Sequence, residues 1–348
     1  MALFASLLEA TEALTLGAGL SQSAANAFLT RARPAITFRR RRSPETDMPL
    51  GASKIGGRPD MGADIPWPIR APYPGIDAII DAYPEVMKRI YDEAWFVAHR
   101  AYLSAPAPLA FIAQMDLDTL SQRDGFDDAL PTEGRLLLFT DPTGYGGGAR
   151  PASRPWLQVI HDTTPHADLL RHPTPDALQA HWNTTPLIQT YGDRAPWSDA
   201  MEVEALEPID AISLPHDPAY QASEQTRRIL AALREAHLSG LEDQVRALDY
   251  PVGSYHGDQL GGHPKPVQDA VVHDFQRATD GAIDPVTLPE HNGTFAADRW
   301  RFLMTIQGET YLDQWMSDWG DGDLYVMDRP VPGHAQTLGQ TWGLSQST

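Results

Sequence analysis

The chain has 348 residues, 42% of them hydrophobic and 21% charged, which is typical of a folded globular protein rather than a disordered or fibrous one. Its formal net charge is -19, with 27 Lys and Arg against 46 Asp and Glu. This acidity argues against nucleic-acid and membrane partners, because both present negatively charged surfaces. A basic protein partner is the expected kind, since the field of an acidic chain speeds its encounter with positive surfaces.

The chain contains no cysteine, which excludes disulfides, thiolate nucleophiles and cysteine-ligated metal centres. The first 20 residues are fairly apolar, but they lack a basic leading segment and include Glu9 and Glu12, so they do not fit a signal peptide. No stretch of the sequence approaches the run of about 20 apolar residues that a transmembrane helix needs. We therefore expect a cytoplasmic protein.

The chain begins with residues 1–45, whose leucine spacing and alanine content predict a helical N-terminal extension. Residues 51–74 are dense in Gly and Pro, which predicts an extended, turn-rich segment. Residues 76–103 follow with helical spacing of apolar side chains and a kink at Pro84. We interpret this region as a helical insertion within a main domain that covers 46–348.

Two strand-like runs follow the insertion, and a similar pair recurs near the C-terminus. Residues 111–116 align with 304–309, and residues 134–139 align with 322–327. In each copy an apolar strand ends in Gln, and a Gly precedes the second strand. Such a pair cannot bury its own apolar face, so the two copies are expected to face or pair with each other in a pseudo-symmetric core.

The elements between the copies complete the predicted fold. Residues 155–162 predict one further strand, and residues 222–247 predict an amphipathic helix. The predicted fold class is α+β, mainly antiparallel β, a roll with an internally duplicated strand-pair core and peripheral helices.

Five motifs in order also carry a family resemblance: SKIGGRPDMGADIPWP, PLAFIAQMDL, LPTEGRLLLFTD, GDQLGGHPKPVQ, and RFLMTIQGE with WGDGDLYVM. This order resembles the YwqG-like proteins, a bacterial family classed as a domain of unknown function, over about residues 53–330. The resemblance implies a mainly β, roll-like α+β fold and no established activity. The N-terminal 45 residues lie outside it, and the helical insertion departs from the pattern of the shortest members.

Three glutamines are candidate ligand-binding residues. Gln114 and Gln307 end the repeated strands, and Gln268 lies in the fourth motif. Their amides are able to line a shared polar pocket or to hydrogen-bond each other at a seam between the copies, and the seam is the favoured interpretation. Asp258 and Trp319 complete the candidate set, since tryptophans late in the chain are able to form a recognition surface.

A metal site is the second candidate. His256, Asp258 and His263 offer two imidazoles and a carboxylate, a donor set that zinc and iron accept. Their spacing matches no established motif, and the Gly- and Pro-rich loop favours a structural turn.

The sequence contains no nucleophile elbow, zinc-protease helix, phosphate loop or dinucleotide fingerprint. The first functional hypothesis is therefore a non-enzymatic binding or protein-interaction module, immunity-like or regulatory, with a basic protein partner and no cofactor. The alternative is a metal-assisted enzyme that uses His256, Asp258 and His263. The sequence alone leaves the question of enzymatic activity open.

Overall fold

The structure, a computed structural model, describes residues 3–17, 20–81, 89, 91–142, 156–184, 202–214, 257–264, 271, 275, 300–307, 323–329, 331, 334 and 336–346. The strands in these ranges are β1 (Leu3–Phe4), β2 (Arg33–Pro44), β3 (Lys54–Ile55), β4 (Asp60–Gly62), β5 (Ile69–Arg70), β6 (Ala107–Pro108), β7 (Ala110–Asp116), β8 (Arg135–Thr140), β9 (Leu157–Asp162), β10 (Leu169–Arg171), β11 (Glu202–Ser213), β12 (Gln259–Leu260), β13 (Arg301–Gln307), β14 (Asp323–Arg329) and β15 (Gln340–Gln346).

The α-helices in the described ranges are Leu7–Glu12, Gln22–Leu29, Ile76–Asp81, Glu93–Leu103, Leu117–Leu120 and Asp176–Thr184. A π-helical turn at Ala13–Gly17 and 3-10 turns at Glu45–Asp47 and His166–Asp168 complete the helical elements of these ranges. The helix predicted over 222–247 lies outside the described residues.

Eleven strands form one sheet, in the order β15-β14-β13-β12-β2-β11-β3-β7-β8-β9, with β1 paired to the end of β11. All neighbours in this order are antiparallel. The two ends of the sheet come together, because the Nε1 of Trp156 donates to the carbonyl oxygen of Gly343 (2.9 Å). The sheet is therefore nearly closed and barrel-like, which confirms the predicted mainly antiparallel α+β class.

The two predicted strand pairs are present, as β7 with β8 and β13 with β14. The first strand of each pair carries a β-bulge, at Ile112 in one copy and at Leu303 in the other. A bulge is a fixed point in the register of a strand. Counted from the bulges, Gln114 corresponds to Thr305.

The sequence alignment of these first strands is wrong by two residues, since it matches Gln114 with Gln307. A shift of two residues keeps every side chain on the same face of the sheet, so the hydrophobic alternation cannot reveal it. The alignment of the second strands is correct, because Leu137 faces Gln114 and the corresponding Tyr325 faces Thr305.

The two halves are related by approximate twofold symmetry about the central pair β2 and β11. The order β11-β3-β7-β8-β9 on one side matches β2-β12-β13-β14-β15 on the other. The axis passes between the facing residues Arg39 and Glu207. Thr37, two residues before Arg39, pairs with β12, and Ala205, two residues before Glu207, pairs with β3 in the same way.

We call β2, β3, β7, β8 and β9 the first half and β11 to β15 the second half. The first strand of each half pairs with the sheet of the other half, since β2 pairs with β12 and β11 pairs with β3. Neither half therefore has a complete sheet without the other. The repeated unit is larger than the strand pair seen in the sequence.

The predicted helical extension over 1–45 is wrong for Arg33–Pro44, which forms the central strand β2. Ile36 and Phe38 are buried in the core, and the arginine run at 39–42 continues the strand. The sequence hides this strand because consecutive arginines suit a strand only where a neighbour supplies carboxylates. That neighbour, β11, lies far away along the chain.

One apolar core fills the inside of the sheet, and both halves contribute to it. Its members on the repeated strands include Ile112, Met115, Leu136, Leu138, Leu303, Ile306, Leu324 and Val326. The outer faces are covered separately, by Met61 on the first half and by Val271 and Phe275 on the second. The outer faces are thus where the two halves are able to differ.

The described residues of the predicted insertion over 76–103 include the helices Ile76–Asp81 and Glu93–Leu103, and Asp141, next to the end of β8, contacts this region. The carboxylate of Asp141 accepts the hydroxyls of Tyr73 (2.9 Å) and Tyr102 (3.0 Å) and pairs with the buried guanidinium of Arg70 (2.5 Å). None of the described helices is long and apolar enough to cross a membrane.

The predicted boundary between an N-terminal extension (1–45) and a main domain (46–348) is testable by truncation. A chain that begins at residue 46 lacks β2, so β11 and β12 each lose a neighbour and the core loses Ile36 and Phe38. We expect this chain to show no cooperative urea unfolding by circular dichroism. A chain that begins at residue 31 retains β2 and is expected to unfold cooperatively. Equal behaviour of the two chains would contradict the central role of β2.

Candidate functional site

The sequence-predicted site residues fall in different parts of the fold. Gln114 lies on β7 and Gln307 on β13, with β3, β11, β2 and β12 between them in the sheet. The Gln114 amide binds Asp60, and the Gln307 side chain accepts the backbone N–H of Gly257, so the two glutamines do not form the expected seam. Three candidates, Gln268, Trp319 and His256, lie outside the described residues.

A Gly-Gly turn follows the short strand of each half, at 56–57 and at 261–262, with positive φ at all four glycines. In each half the next residue donates its backbone N–H to a side chain at the end of that half's long strand: Arg58 to Glu45 Oε1 (2.6 Å), and His263 to Ser213 Oγ (2.9 Å). The two turns are thus built by one scheme, with different chemistry.

In the first half, charged side chains surround this turn. The Nζ of Lys54 lies 3.2 Å from Glu45 Oε1 and 3.5 Å from Asp60 Oδ2. Arg171 Nε donates to Asp60 Oδ1 (2.8 Å), and Gln114 Nε2 donates to Asp60 Oδ2 (2.9 Å). Lys54, Asp60 and Gln114 are fully buried. We call Glu45, Lys54, Arg58, Asp60, Gln114 and Arg171 the first-half cluster.

The electrostatics of the first-half cluster favour ionised carboxylates. Burial alone would raise the pKa of Asp60, but the hydrogen bond from Arg171 and the charge of Lys54 bring that pKa below its ordinary value. The pKa of Glu45 is also lowered, because the Arg58 backbone and the Lys54 charge outweigh burial. Burial lowers the pKa of Lys54 despite the nearby carboxylates.

In the second half, uncharged side chains take the places of Glu45 and Lys54, although the carboxylate of Asp127 accepts the backbone N–H of Gly262 (3.2 Å). The corresponding positions are Ser213 for Glu45, Gln259 for Lys54, His263 for Arg58 and Thr305 for Gln114. The Gln259 amide donates to the carbonyls of Gly261 (2.7 Å) and His263 (2.8 Å). The repeated framework therefore does not require the buried Glu45–Lys54 pair, and such a pair is seldom a gain in stability. This contrast makes the first-half cluster the candidate functional site.

A second polar cluster brings together Asp258 and Gln307. Arg40 Nη2 lies 2.5 Å from Asp258 Oδ1, and Arg40 Nη1 lies 3.0 Å from Glu204 Oε2. The backbone of Gln307 joins in, since its N–H donates to Asp258 (2.9 Å) and its carbonyl accepts from Arg40 (2.8 Å). Burial lowers the pKa of Arg40, but the two carboxylates raise it overall. The arginine run is thus partly neutralised within the chain.

The predicted metal ligands are engaged in other contacts where they are described. Both carboxylate oxygens of Asp258 bind Arg40. The Nε2 of His263 lies 2.7 Å from the carbonyl oxygen of Arg31, and burial lowers the pKa of His263 to about 4. Within the described ranges no three His, Asp or Glu side chains are grouped to hold a metal. Because His256 lies outside these ranges, the metal site remains a prediction.

Sequence reasoning missed the charged members of the first-half cluster. The available signal was a second internal match, of residues 53–59 (SKIGGRP) with 258–264 (DQLGGHP). The structure confirms this match, since Ser53 Oγ accepts the N–H of Asp116 (2.9 Å) as Asp258 accepts that of Gln307. Arg171 has no such signal, because it comes from the covering strand β10.

The fold and the two clusters define a class, a duplicated and nearly closed antiparallel sheet whose two halves carry different polar chemistry. The chain belongs to the family described as Domain of unknown function (DUF1963), whose sequence model matches residues 53–329. The matched segment begins after β2. A comparison with curated proteins finds no match.

The Gly-Gly turn of the first-half cluster predicts a specific sensitivity. Gly57 has φ of +71°, and a Cβ there would overlap the Glu45 carboxylate and Val203. We expect Gly57→Ala to lower the free energy of unfolding by about 2–4 kcal/mol, from backbone strain and overlap together. The control is Gly75→Ala, at φ of +68° with open space around it, which is expected to cost about 1 kcal/mol. Equal losses in urea unfolding would refute the packing argument.

The lowered pKa of His263 predicts a pH dependence. The ring stays neutral in the folded chain down to about pH 4, whereas the unfolded chain takes up the proton near its ordinary pKa of 6.5. Stability is therefore lost as pH falls from 6.5 to 4, by up to about 3 kcal/mol for this group. We expect His263→Gln, which keeps a donor for Arg31, to flatten this part of the stability profile. The exposed His166→Gln variant controls for the loss of a histidine.

Proposed function

We propose that this protein is a non-enzymatic binding module that docks a basic protein partner, in an immunity-like or regulatory role. The observation that supports it best is the loop between β7 and β8, residues 116–134, which we call the acidic loop. It contains six carboxylates and one arginine, Arg123. That arginine is paired with Asp210 through two hydrogen bonds (2.9 and 3.0 Å). The loop therefore presents a strongly negative surface.

The acidic loop is held in one conformation by contacts on its inner side. Four apolar residues of the loop are buried in the core: Leu117, Leu120, Phe126 and Leu130. Asp127 faces inward, accepting from Arg33 (2.6 Å) and from the backbone N–H of Gly262 (3.2 Å) of the second half. A surface fixed in this way loses little conformational entropy on binding, which favours affinity for a partner.

Four carboxylate residues of the acidic loop are exposed: Asp118, which also accepts the backbone N–H of Gly134 (2.9 Å), and Asp124, Asp128 and Glu133. Exposed charges of one sign raise association rates with an oppositely charged partner and give the complex a salt-dependent affinity. Three buried cations outside the loop, Lys54, Arg40 and Arg70, are paired with carboxylates of the chain itself. This pairing supports a binding role over a catalytic one.

We also propose a narrower family, a source and a cellular location for this protein. The order of the five motifs supports a YwqG-like member of the family, and therefore a bacterial protein. The absence of cysteine and the acidic composition support a cytoplasmic location without a membrane or nucleic-acid partner.

The proposed function is tested by measuring partner binding to a variant whose acidic loop has been neutralised. The full chain is immobilised and its partner is captured from native lysate at low salt, identified, purified and titrated in increasing chloride. We expect Asp124→Asn, Asp128→Asn and Glu133→Gln together to weaken binding about tenfold or more and to flatten its salt dependence, because three charges leave the interface.

The matched control changes the same amount of charge elsewhere, with Glu12→Gln, Asp64→Asn and Asp168→Asn, all at exposed positions. The control variant is expected to bind the partner with an affinity within about twofold of that of the unmodified chain, because it loses only long-range electrostatic attraction. A basic partner that binds the loop variant and the control equally would show that the acidic loop is not the docking surface. A captured partner with an acidic binding face would contradict the proposal altogether.

A further inference from the structure

A second polar feature of the first half lies near the cluster, at the start of β8. Arg135 is fully buried on the outer face of the sheet. Its neighbours across the two adjoining ladders are Asp116 on β7 and Asp162 on β9. The position that corresponds to Arg135 in the second half is Asp323, so the shared framework does not require a cation there.

The guanidinium of Arg135 is only partly satisfied. Its Nη2 donates to the carbonyl oxygen of Thr164, while Nε and Nη1 are buried and have no hydrogen-bond partner. A buried cation without acceptors is strongly unfavourable, whereas a buried cation that binds an anion is stable. Two buried donors of this guanidinium are therefore left for an acceptor from outside the chain.

The two neighbouring carboxylates accept no hydrogen bond from Arg135 in the described residues. Burial raises the pKa of Asp162, but hydrogen bonds from Thr164 and Gly62 and the charge of Arg135 lower it overall, so Asp162 balances part of that charge. Asp116 accepts from the hydroxyl (2.6 Å) and the backbone N–H (3.5 Å) of Thr119. Asp162 accepts from the backbone N–H of Gly62 (3.0 Å) and of Thr164 (2.8 Å). Their oxygens are held by these donors, yet each keeps a lone pair for one further hydrogen bond.

We infer that Arg135 is the anchor of a small oxyanion site, and that its ligand is inorganic phosphate. Phosphate supplies oxygens for the free donors of the guanidinium. Near neutral pH it also carries an O–H that is able to donate to a carboxylate such as Asp162, which sulfate lacks. Inorganic phosphate is preferred to a phosphate ester, because it has no substituent to place beside the fully buried guanidinium.

Glu133 and Thr163, which lie close to Arg135 and Asp162 in the chain, are both exposed. The site adjoins the acidic loop, since Asp116 and Glu133 belong to that loop, but its anchor Arg135 lies outside the loop. The phosphate site therefore does not depend on the proposed docking function.

Isothermal titration of the full chain with phosphate, at constant ionic strength in chloride, tests this inference. We expect saturable binding of one phosphate per chain and no binding of sulfate. Arg135→Met is expected to weaken phosphate binding at least tenfold. The control Arg123→Met removes the same charge from a half-exposed ion pair and is expected to bind within twofold of the unmodified chain.

Thermal unfolding of the unmodified chain gives an independent reading if Arg135→Met fails to fold. Phosphate is expected to raise the melting temperature in proportion to the logarithm of its concentration, whereas sulfate and chloride at equal ionic strength leave it lower. No phosphate binding, equal effects of sulfate and phosphate, or full binding by folded Arg135→Met would each overturn the inference.

Discussion

The pairing of β2 with β11 is the interaction on which the rest of the structure depends. These two strands of 12 residues each face one another along their whole length and join the two halves into one sheet. Each of them also provides the neighbour for the short strand of the opposite half. Because the halves exchange their first strands in this way, folding requires contacts between residues far apart in the chain. Such long-range pairing is slow to form but closes the barrel.

The twofold framework allows one half to be compared with the other as an internal control. The Gly-Gly turn, the bulge and the inner core recur in both halves, so they are requirements of the fold. Glu45 and Lys54 of the first-half cluster do not recur, because Ser213 and Gln259 occupy the corresponding places. A feature that is present in only one of the two halves is not required by the repeated fold, so a function is the better explanation for it.

The polar chemistry of the first half is concentrated on the outer face of its sheet. Lys54 on β3 contacts Asp60 of the covering strand β4, which Arg171 of β10 also binds, and Arg135 lies on the same outer face. The outer face of the second half is instead covered by an apolar cluster that includes Phe302, Tyr325 and Trp342. The second half thus supports the fold mainly by packing, and the first half combines packing with buried ionic contacts.

The sequence by itself determined the strand pairs, the helical insertion and the mainly antiparallel class, because alternation and turn residues are local signals. It also located Gln114 and Asp258 in polar surroundings. Only the tertiary structure decided that Arg33–Pro44 is the central strand, that the first-strand alignment shifts by two residues, and that Gln114 and Gln307 lie apart. The physical reason is common to all three: strand partners, counterions and register are set by residues distant in sequence, and a single chain's periodicity does not encode which strands meet.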